Sequence, residues 1–480
     1  MTISTDLAAP PGRDSAPAAA PAPDPRRWLV LAVASAAQFL AVLDAIAVNI
    51  AFPMIGREYR SAPTAELSWV LNAYTVILAA LLIPAGRVAD ATGRRRSFLL
   101  GLALFGLASA GCAAAPGLAG LIAARVVQGV GAAVLVPTSL SLALPAFPDR
   151  ERPTAVGVWT AVSALAAGSG PVLGGLLAAH DWRWIFLINV PVVLAALVAG
   201  VRLLPRTAPG RSGAATRRSL DPAGTVLVFA AIACLVTAFA EAQDLGYGSP
   251  ATLGLAAAGV LAAGLCAAHV RRAAAPVVDP ALFATRGFTA AGLGLLSYFL
   301  AYGAMTLAAT QLFTGVWHYS IQDAGLALAP WPGTVLLVSV CSGRIVRALG
   351  ERGAALLGAL AFLAAPLWWL CAVGGRSHYP AAFLPGLVCA GVGTGLYQSV
   401  MFAAAGRLPE DRMSSGSGVL MVSRQGGTAL GVAVLVALGG GAHHPALGSL
   451  RHGWLVAAAG SALAVVAALA FGPRTRGDHG

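Results

Sequence analysis

Lysine is absent from the 480 residues, and all 31 basic side chains are arginine. Without lysine there is no GxxxxGKS/T loop to hold a nucleotide's phosphates, which excludes ATP hydrolysis by that device, and no amine for Schiff-base chemistry. Cysteine is scarce. Its six copies, Cys112, Cys234, Cys266, Cys341, Cys371 and Cys389, are scattered through separate apolar stretches with no CxxC pair. They read as small packing residues, with no disulfide framework and no metal site. Charged residues make up 10% of the chain, against about 25% in soluble domains. With 58% hydrophobic residues, such a chain is an integral membrane protein. The eight histidines fall at span ends, in loops or in tails, and HExxH, GxSxG and carboxylate clusters are missing, which argues against a membrane enzyme. No catalytic residue, metal site or cofactor is expected.

What the chain has is apolar length. About fourteen stretches approach the roughly 20 residues that a spanning helix needs. The predicted fold class is an all-α membrane protein. Two six-helix bundles, related by a pseudo-twofold, are joined by two extra central helices. Residues 1–25, rich in Ala, Pro and Asp, predict a disordered cytoplasmic tail and not a signal peptide. The N-terminal bundle is expected over 26–205, a basic cytoplasmic linker with the two extra helices over 206–272, the C-terminal bundle over 273–473 and a cytoplasmic tail over 474–480. Arginine sets the orientation. If the N-terminus is cytoplasmic, the outer loops hold only Arg57, Arg60, Arg183, Arg376 and Arg451, while most others, Arg94, Arg95 and Arg96 among them, lie inside. The formal net charge of +12 is therefore a topology signal, and nucleic acid is not a partner. The expected surroundings are a lipid bilayer and, for this composition, a bacterial cytoplasmic membrane with both termini inside.

One carboxylate stands apart. Asp44, in FLAVLDAIAVNIAFP (39–53), is alone among the nineteen acidic residues in sitting well inside a hydrophobic span. A charge there costs roughly 2.5–3.5 kcal/mol on insertion scales, so it needs a partner, a proton or water. A proton carrier is one reading; a polar residue that merely joins two helices is the other. Arg125, in the fourth span, lies at a similar depth, roughly 10–15 Å below the outer surface at 1.5 Å per residue, so the two can pair directly or through water. A structural ion pair is the plainer alternative.

An internal repeat is legible. AGRVADATGRRR (85–96) aligns without gaps to SGRIVRALGERG (342–353), and the span starting near Ala155 corresponds to that starting near Gly416. Parallel repeats place the substrate path between the two halves. In the first copy, Gly86, Arg87, Asp90, Gly93, Arg94 and Arg95 combine glycines for a tight turn with charges able to latch neighbouring helix ends in one gating state. Simple positive-inside anchoring is the alternative. Gly168, Gly170, Pro171, Gly174 and Gly175 crowd the fifth span, where small residues allow close helix approach and proline removes a backbone bond.

The loop at 86–96 resembles the signature loop of the major facilitator superfamily. Several further segments are similar to its fourteen-helix drug:proton antiporter branch: LDAIAVNIAFP (43–53), ARVVQGVGAAVLVP (124–137), GSGPVLGG (168–175), HDWRWIFLINVPV (180–192) and SRQGGTALGVAVL (423–435). The resemblance implies proton coupling at Arg125 and Gln128 together with Asp44, and export marked by the glycine-rich segment of the fifth span. It also implies a small-molecule substrate, protons as the second partner, the proton gradient as energy source, and a monomer. Arg424 and Gln425, in the thirteenth span, are expected at substrate or at a gate. Asn49, Asn72, Tyr74, Tyr302, Gln311, Trp331 and Gln398 are further cavity candidates, with Trp69 and Tyr397 beside them; Tyr and Trp near helix ends also serve as interface anchors. Asp323 is an auxiliary site or a helix cap. A uniporter or uptake symporter of the same fold, and a non-transporting receptor, remain the rival functions.

Overall fold

A computed structural model describes residues 25–205, 221–246, 248–273, 276–440 and 447–471 of the chain. Residues 1–24 of the predicted tail at 1–25, the predicted tail at 474–480 and residues 206–220 of the linker lie outside those residues.

Among the described residues the regular structure is helical throughout. Lipid offers no hydrogen bonds, so a spanning backbone must satisfy itself internally, and runs rich in Ala, Leu, Gly and Val do so as helices. The first half contributes α1 (Arg27–Glu58), α2 (Thr64–Thr92), α3 (Arg94–Ala113), α4 (Leu118–Ala143), α5 (Arg152–Ala178), α6 (Trp184–Leu187) and α7 (Asn189–Leu203). A central hairpin follows, α8 (Pro222–Leu245) with α9 (Pro250–Val270), and α8 leans on α2. The second half holds α10 (Arg286–Gln311), α11 (Ile321–Leu328), α12 (Pro330–Ala372), α13 (Leu384–Ala403), α14 (Met413–Leu435) and α15 (Leu447–Ala470). Twelve segments among the described residues are long and apolar enough to cross a membrane, two fewer than the sequence predicts. The difference has two sources. Asp323–Ala372 runs as a single 50-residue segment. In the central hairpin α9 is one of the twelve, while α8 counts only over Pro222–Ala238, as a shorter apolar helix.

The long α12 is not straight. Gly350 breaks it with a φ of 73°, a left-handed value that glycine adopts without a Cβ penalty. Gly93, its counterpart in the sequence repeat, has a φ of 101° at the junction of α2 and α3. Both copies of the repeat therefore turn the chain at the same residue.

The repeat extends to contacts between the halves. A Cβ on Gly86 would come within 2.5 Å of the Ser414 carbonyl oxygen, at the start of α14. Its counterpart Gly343 is pressed equally hard against Thr154, at the start of α5. One turn further in, Gly418 meets the Leu82 backbone at 2.6 Å, and Gly157 meets the backbone of Ser339, the residue that aligns with Leu82. The same backbone-to-backbone approach is thus made twice with the halves exchanged, which is what a pseudo-twofold means physically. All four contacts lie on the side of Gly93 and Gly350, so the halves are sealed together there. Large aromatics fill the interior around this seam: Trp159 is buried and packs edge-on to Phe402 across the halves.

Candidate functional site

Five helices converge on Asp44. Its side chain is fully enclosed, and Arg125 of α4 forms a direct ion pair with its Oδ2. Gln128, one turn further along α4, donates from Nε2 to Asp44 Oδ1 at 2.8 Å, and Asn189 at the start of α7 donates from Nδ2 to the same oxygen at 3.1 Å. The guanidinium is held from several directions. Its Nε donates to the Val70 carbonyl of α2 at 3.0 Å, its Nη1 also donates to Gln128 Oε1 at 2.7 Å, and its plane lies 4.4 Å from the ring centre of Tyr74. On α3, Ser109 accepts from Gln128 Nε2 at 2.8 Å. A carboxylate this deep survives ionised only with such company. Asp44 and Arg125 meet directly, without a gap for water.

The glycine-rich stretch of α5 touches the same turn of α1. A Cβ on Gly170 would stand 2.6 Å from Ile46, and one on Gly174 would stand 3.2 Å from the Ala47 backbone. Gly168 instead looks toward Pro332 of the other half at 3.9 Å, and Gly175 faces open space. Pro171 sits inside α5 without ending it.

The charged residues of the 86–96 segment also make contacts between helices. Asp90 accepts backbone hydrogen bonds from Ser414 at 3.1 Å and Ser415 at 2.8 Å, and another from the Ser415 hydroxyl at 2.8 Å. These two residues open α14, whose unpaired N–H groups and positive end suit a carboxylate. Arg94 holds Asp90 from its own half at 3.4 Å and donates to the Ser141 carbonyl at 3.3 Å. Arg95 donates to the Val201 carbonyl at 2.6 Å. Arg87, three residues before Asp90, is half-buried.

The cavity candidates divide. Tyr74 belongs to the Asp44 cluster, with its hydroxyl donating to the Ala41 carbonyl at 3.2 Å. Asn49 is exposed, and its amide is turned back onto the Ala45 carbonyl. Trp69, Asn72 and Gln311 are half-buried. Tyr397 stacks on Tyr298 inside the second half and donates to the Ala464 carbonyl, away from the centre. Gln398 beside it is buried. Tyr302 and Trp331 pack together with ring centres 5.0 Å apart, near Arg424; Gln425 is half-buried next to it. Asp323 stands in the first turn of α11, where the capping Ser320 accepts from its backbone N–H at 3.1 Å and donates to its carboxylate at 2.7 Å.

Sequence reasoning missed Asn189, Ser109, Ser414 and Ser415. Asn189 was visible as the only amide in an apolar run, FLINVPV. The serines carry no such signal, because their roles come from helices meeting.

Two exchange-related helical halves, the first enclosing a buried acid–base pair, make up a multi-pass membrane transporter. The chain belongs to the Major Facilitator Superfamily, whose pattern it matches over residues 34–432. It is 38% identical over 435 residues to the puromycin resistance protein of Streptomyces alboniger, covering 88% of this chain and 84% of that one. A multidrug resistance protein of Mycobacterium tuberculosis is 32% identical over 400 residues, covering 83% and 73%. The cephamycin export protein of Amycolatopsis lactamdurans is 35% identical over 431 residues, covering 85% and 84%. Among solved structures, the human organic anion transporter MFSD10 superposes with a TM-score of 0.68 at 16% identity, covering 94% of this chain and all of that one, a likeness of fold.

Proposed function

We propose that this protein is a proton-driven antiporter that exports drugs, antibiotics or related small amphipathic compounds across a bacterial cytoplasmic membrane. The buried pair of Asp44 with Arg125 carries the proposal. When Asp44 takes a proton it ceases to neutralise Arg125, and a lone cation in that pocket costs several kcal/mol, about 3–5 by analogy with other broken buried pairs. An incoming proton thus strains the N-terminal bundle at one turn of α1. Gly170 and Gly174 bring α5 against that turn, so α1 cannot move without α5, whose first turns form part of the seam between halves. The Asp90 latch on α14 stabilises the sealed arrangement, and its release lets the halves rock the other way. Proton entry and compound exit then alternate, with the gradient as the energy source and no cofactor.

Fourteen spans result when Asp323–Ala372 is divided at Gly350 and α8 is admitted as a crossing. The bundles are then 26–205 and 273–473, with the two extra helices between them, and the unit works as a monomer. The arginine bias places the sealed side and both termini in the cytoplasm. The export direction follows from relatives named for resistance and export.

The test is made in a susceptible bacterium challenged with a panel that includes puromycin and a cephamycin, and in inverted membrane vesicles made from it. Expression raises resistance to a member of the panel, and that compound accumulates in vesicles driven by a proton gradient. Asp44→Asn abolishes driven accumulation while the protein still inserts. Undiminished accumulation by that variant would overturn the coupling, and accumulation only in right-side-out vesicles would overturn the direction.

A further inference from the structure

Arg424 lies at the midpoint of α14, eleven residues from Met413 and eleven from Leu435. At 1.5 Å per residue that is about 16 Å from either end, near the bilayer centre. Its side chain is half-buried, and its guanidinium carbon stands 5.4 Å from the ring centre of Phe299. Tyr302 continues that aromatic wall at 5.6 Å from Phe299, and Trp331 continues it again. Among the described residues no carboxylate pairs with Arg424, whereas Arg125 at the other half's centre is neutralised by Asp44. An arginine carries five N–H donors and no acceptor, so its hydrogen-bonding capacity is directed outward. The cation–π contact returns less than a charge at the bilayer centre costs. A ligand that brings an anion closes the gap.

We propose that Arg424, with Phe299, Tyr302 and Trp331, forms a subsite for organic acids. Its ligands are amphipathic compounds whose aromatic or alicyclic body lies on the aromatic wall and whose carboxylate or acidic phenol meets the guanidinium. The fork of Arg424 matches a carboxylate's two oxygens better than an ammonium point charge would. Arg125 does not serve the same purpose, because Asp44 neutralises it and Asp44, Gln128 and the Val70 carbonyl take three of its five donors. The subsite names the substrate class of the proposed exporter and rests on the central region being its substrate path. Exclusively cationic compounds are disfavoured, since they meet an unneutralised cation in low dielectric.

Equilibrium binding to the purified full chain in lipid nanodiscs, with no gradient, tests this with three fluorescent probes sharing one ring system: 1-pyrenebutyrate, its methyl ester and 1-pyrenebutylammonium. The wild-type protein binds the acid about 10-fold or more tightly than the ester, as a hydrogen bond to a charged group warrants, and binds the ammonium weakest. Arg424→Gln collapses the acid-to-ester ratio to about one while ester binding, which also reports an intact fold, is kept. Arg424→Lys retains part of the preference. A wild-type ratio near one, tighter binding of the ammonium, or an unchanged ratio in Arg424→Gln overturns the subsite. The wild-type ratio decides even if the glutamine variant fails to fold. A protein that shows the ratio but moves nothing in vesicles keeps the subsite and loses the exporter; one that pumps only cations, with no ratio, does the reverse.

Discussion

Asp90 accepts a backbone hydrogen bond from Ser415 at 2.8 Å, joining two helices that belong to opposite halves of the molecule. The carboxylate does for α14 what a capping side chain does for its own helix, but across the seam. Arg347 occupies the aligned position of the second copy, so the same bond cannot form on the other side of the pseudo-twofold. The contact is one-sided.

Asp90→Asn therefore weakens the sealed arrangement. The loss of a charged acceptor at a helix N-terminus is worth about 1–2 kcal/mol, a shift of roughly 5- to 30-fold toward unsealed molecules. Hydrogen exchange at Ser414 and Ser415 should rise by that factor. Unchanged exchange would show that the glycine contacts alone hold the halves.

Gly157→Ala and Gly418→Ala insert a methyl group where backbone from the other half already stands. Each should disfavour the sealed state by about 1–3 kcal/mol, as overpacking does elsewhere. Because the two positions are pseudo-equivalents, their effects on transport should be similar in size. A large effect from one and none from the other contradicts the exchange-related seam.

Asn189→Leu removes a donor from the ionised Asp44 and leaves that oxygen with Gln128 alone. The loss of one hydrogen bond to a charge is worth about 1.5–3 kcal/mol, so proton-driven transport should fall roughly 10-fold or more. Gradient-free exchange of labelled compound should be reduced far less. Equal losses in both assays would assign Asn189 to folding.

At the entry to α8, burial raises the Asp221 carboxyl's affinity for a proton. Hydrogen bonds from the Gly224 N–H at 2.8 Å, from His269 at 2.8 Å and from the Val277 N–H at 3.2 Å outweigh it, and the carboxyl titrates below its ordinary 3.8. A lowered value stabilises the fold above the ordinary pKa, and that contribution is lost as pH falls through the lowered one. Asp221→Ala should cost about 1 kcal/mol, the worth of a cap, at neutral pH and less in strong acid. Thermal melts across that pH range check the sign.

Much of the molecule was readable from its residues. The 85–96 and 342–353 copies announced the pseudo-twofold, and Gly93 and Gly350 turn the chain where the alignment sets them. Asp44 and Arg125 were recognisable as a pair because charge inside an apolar run is too costly to be incidental. Asn189 was harder, since an amide in a span serves packing as readily as chemistry. Tyr74 read as a cavity candidate, and its ring packs against the Arg125 guanidinium.

Composition and periodicity alone decided that this chain lives in lipid, as helices, in two related halves, because those outcomes follow from the cost of exposing backbone or charge to hydrocarbon. Tertiary structure decided which polar groups meet. Ser415 with Asp90, Asn189 with Asp44, and Arg424 with aromatic rings but no acid are relations between helices far apart in the chain. No local pattern encodes them, since each depends on the rotation and depth of a whole helix, which packing against all its neighbours sets together.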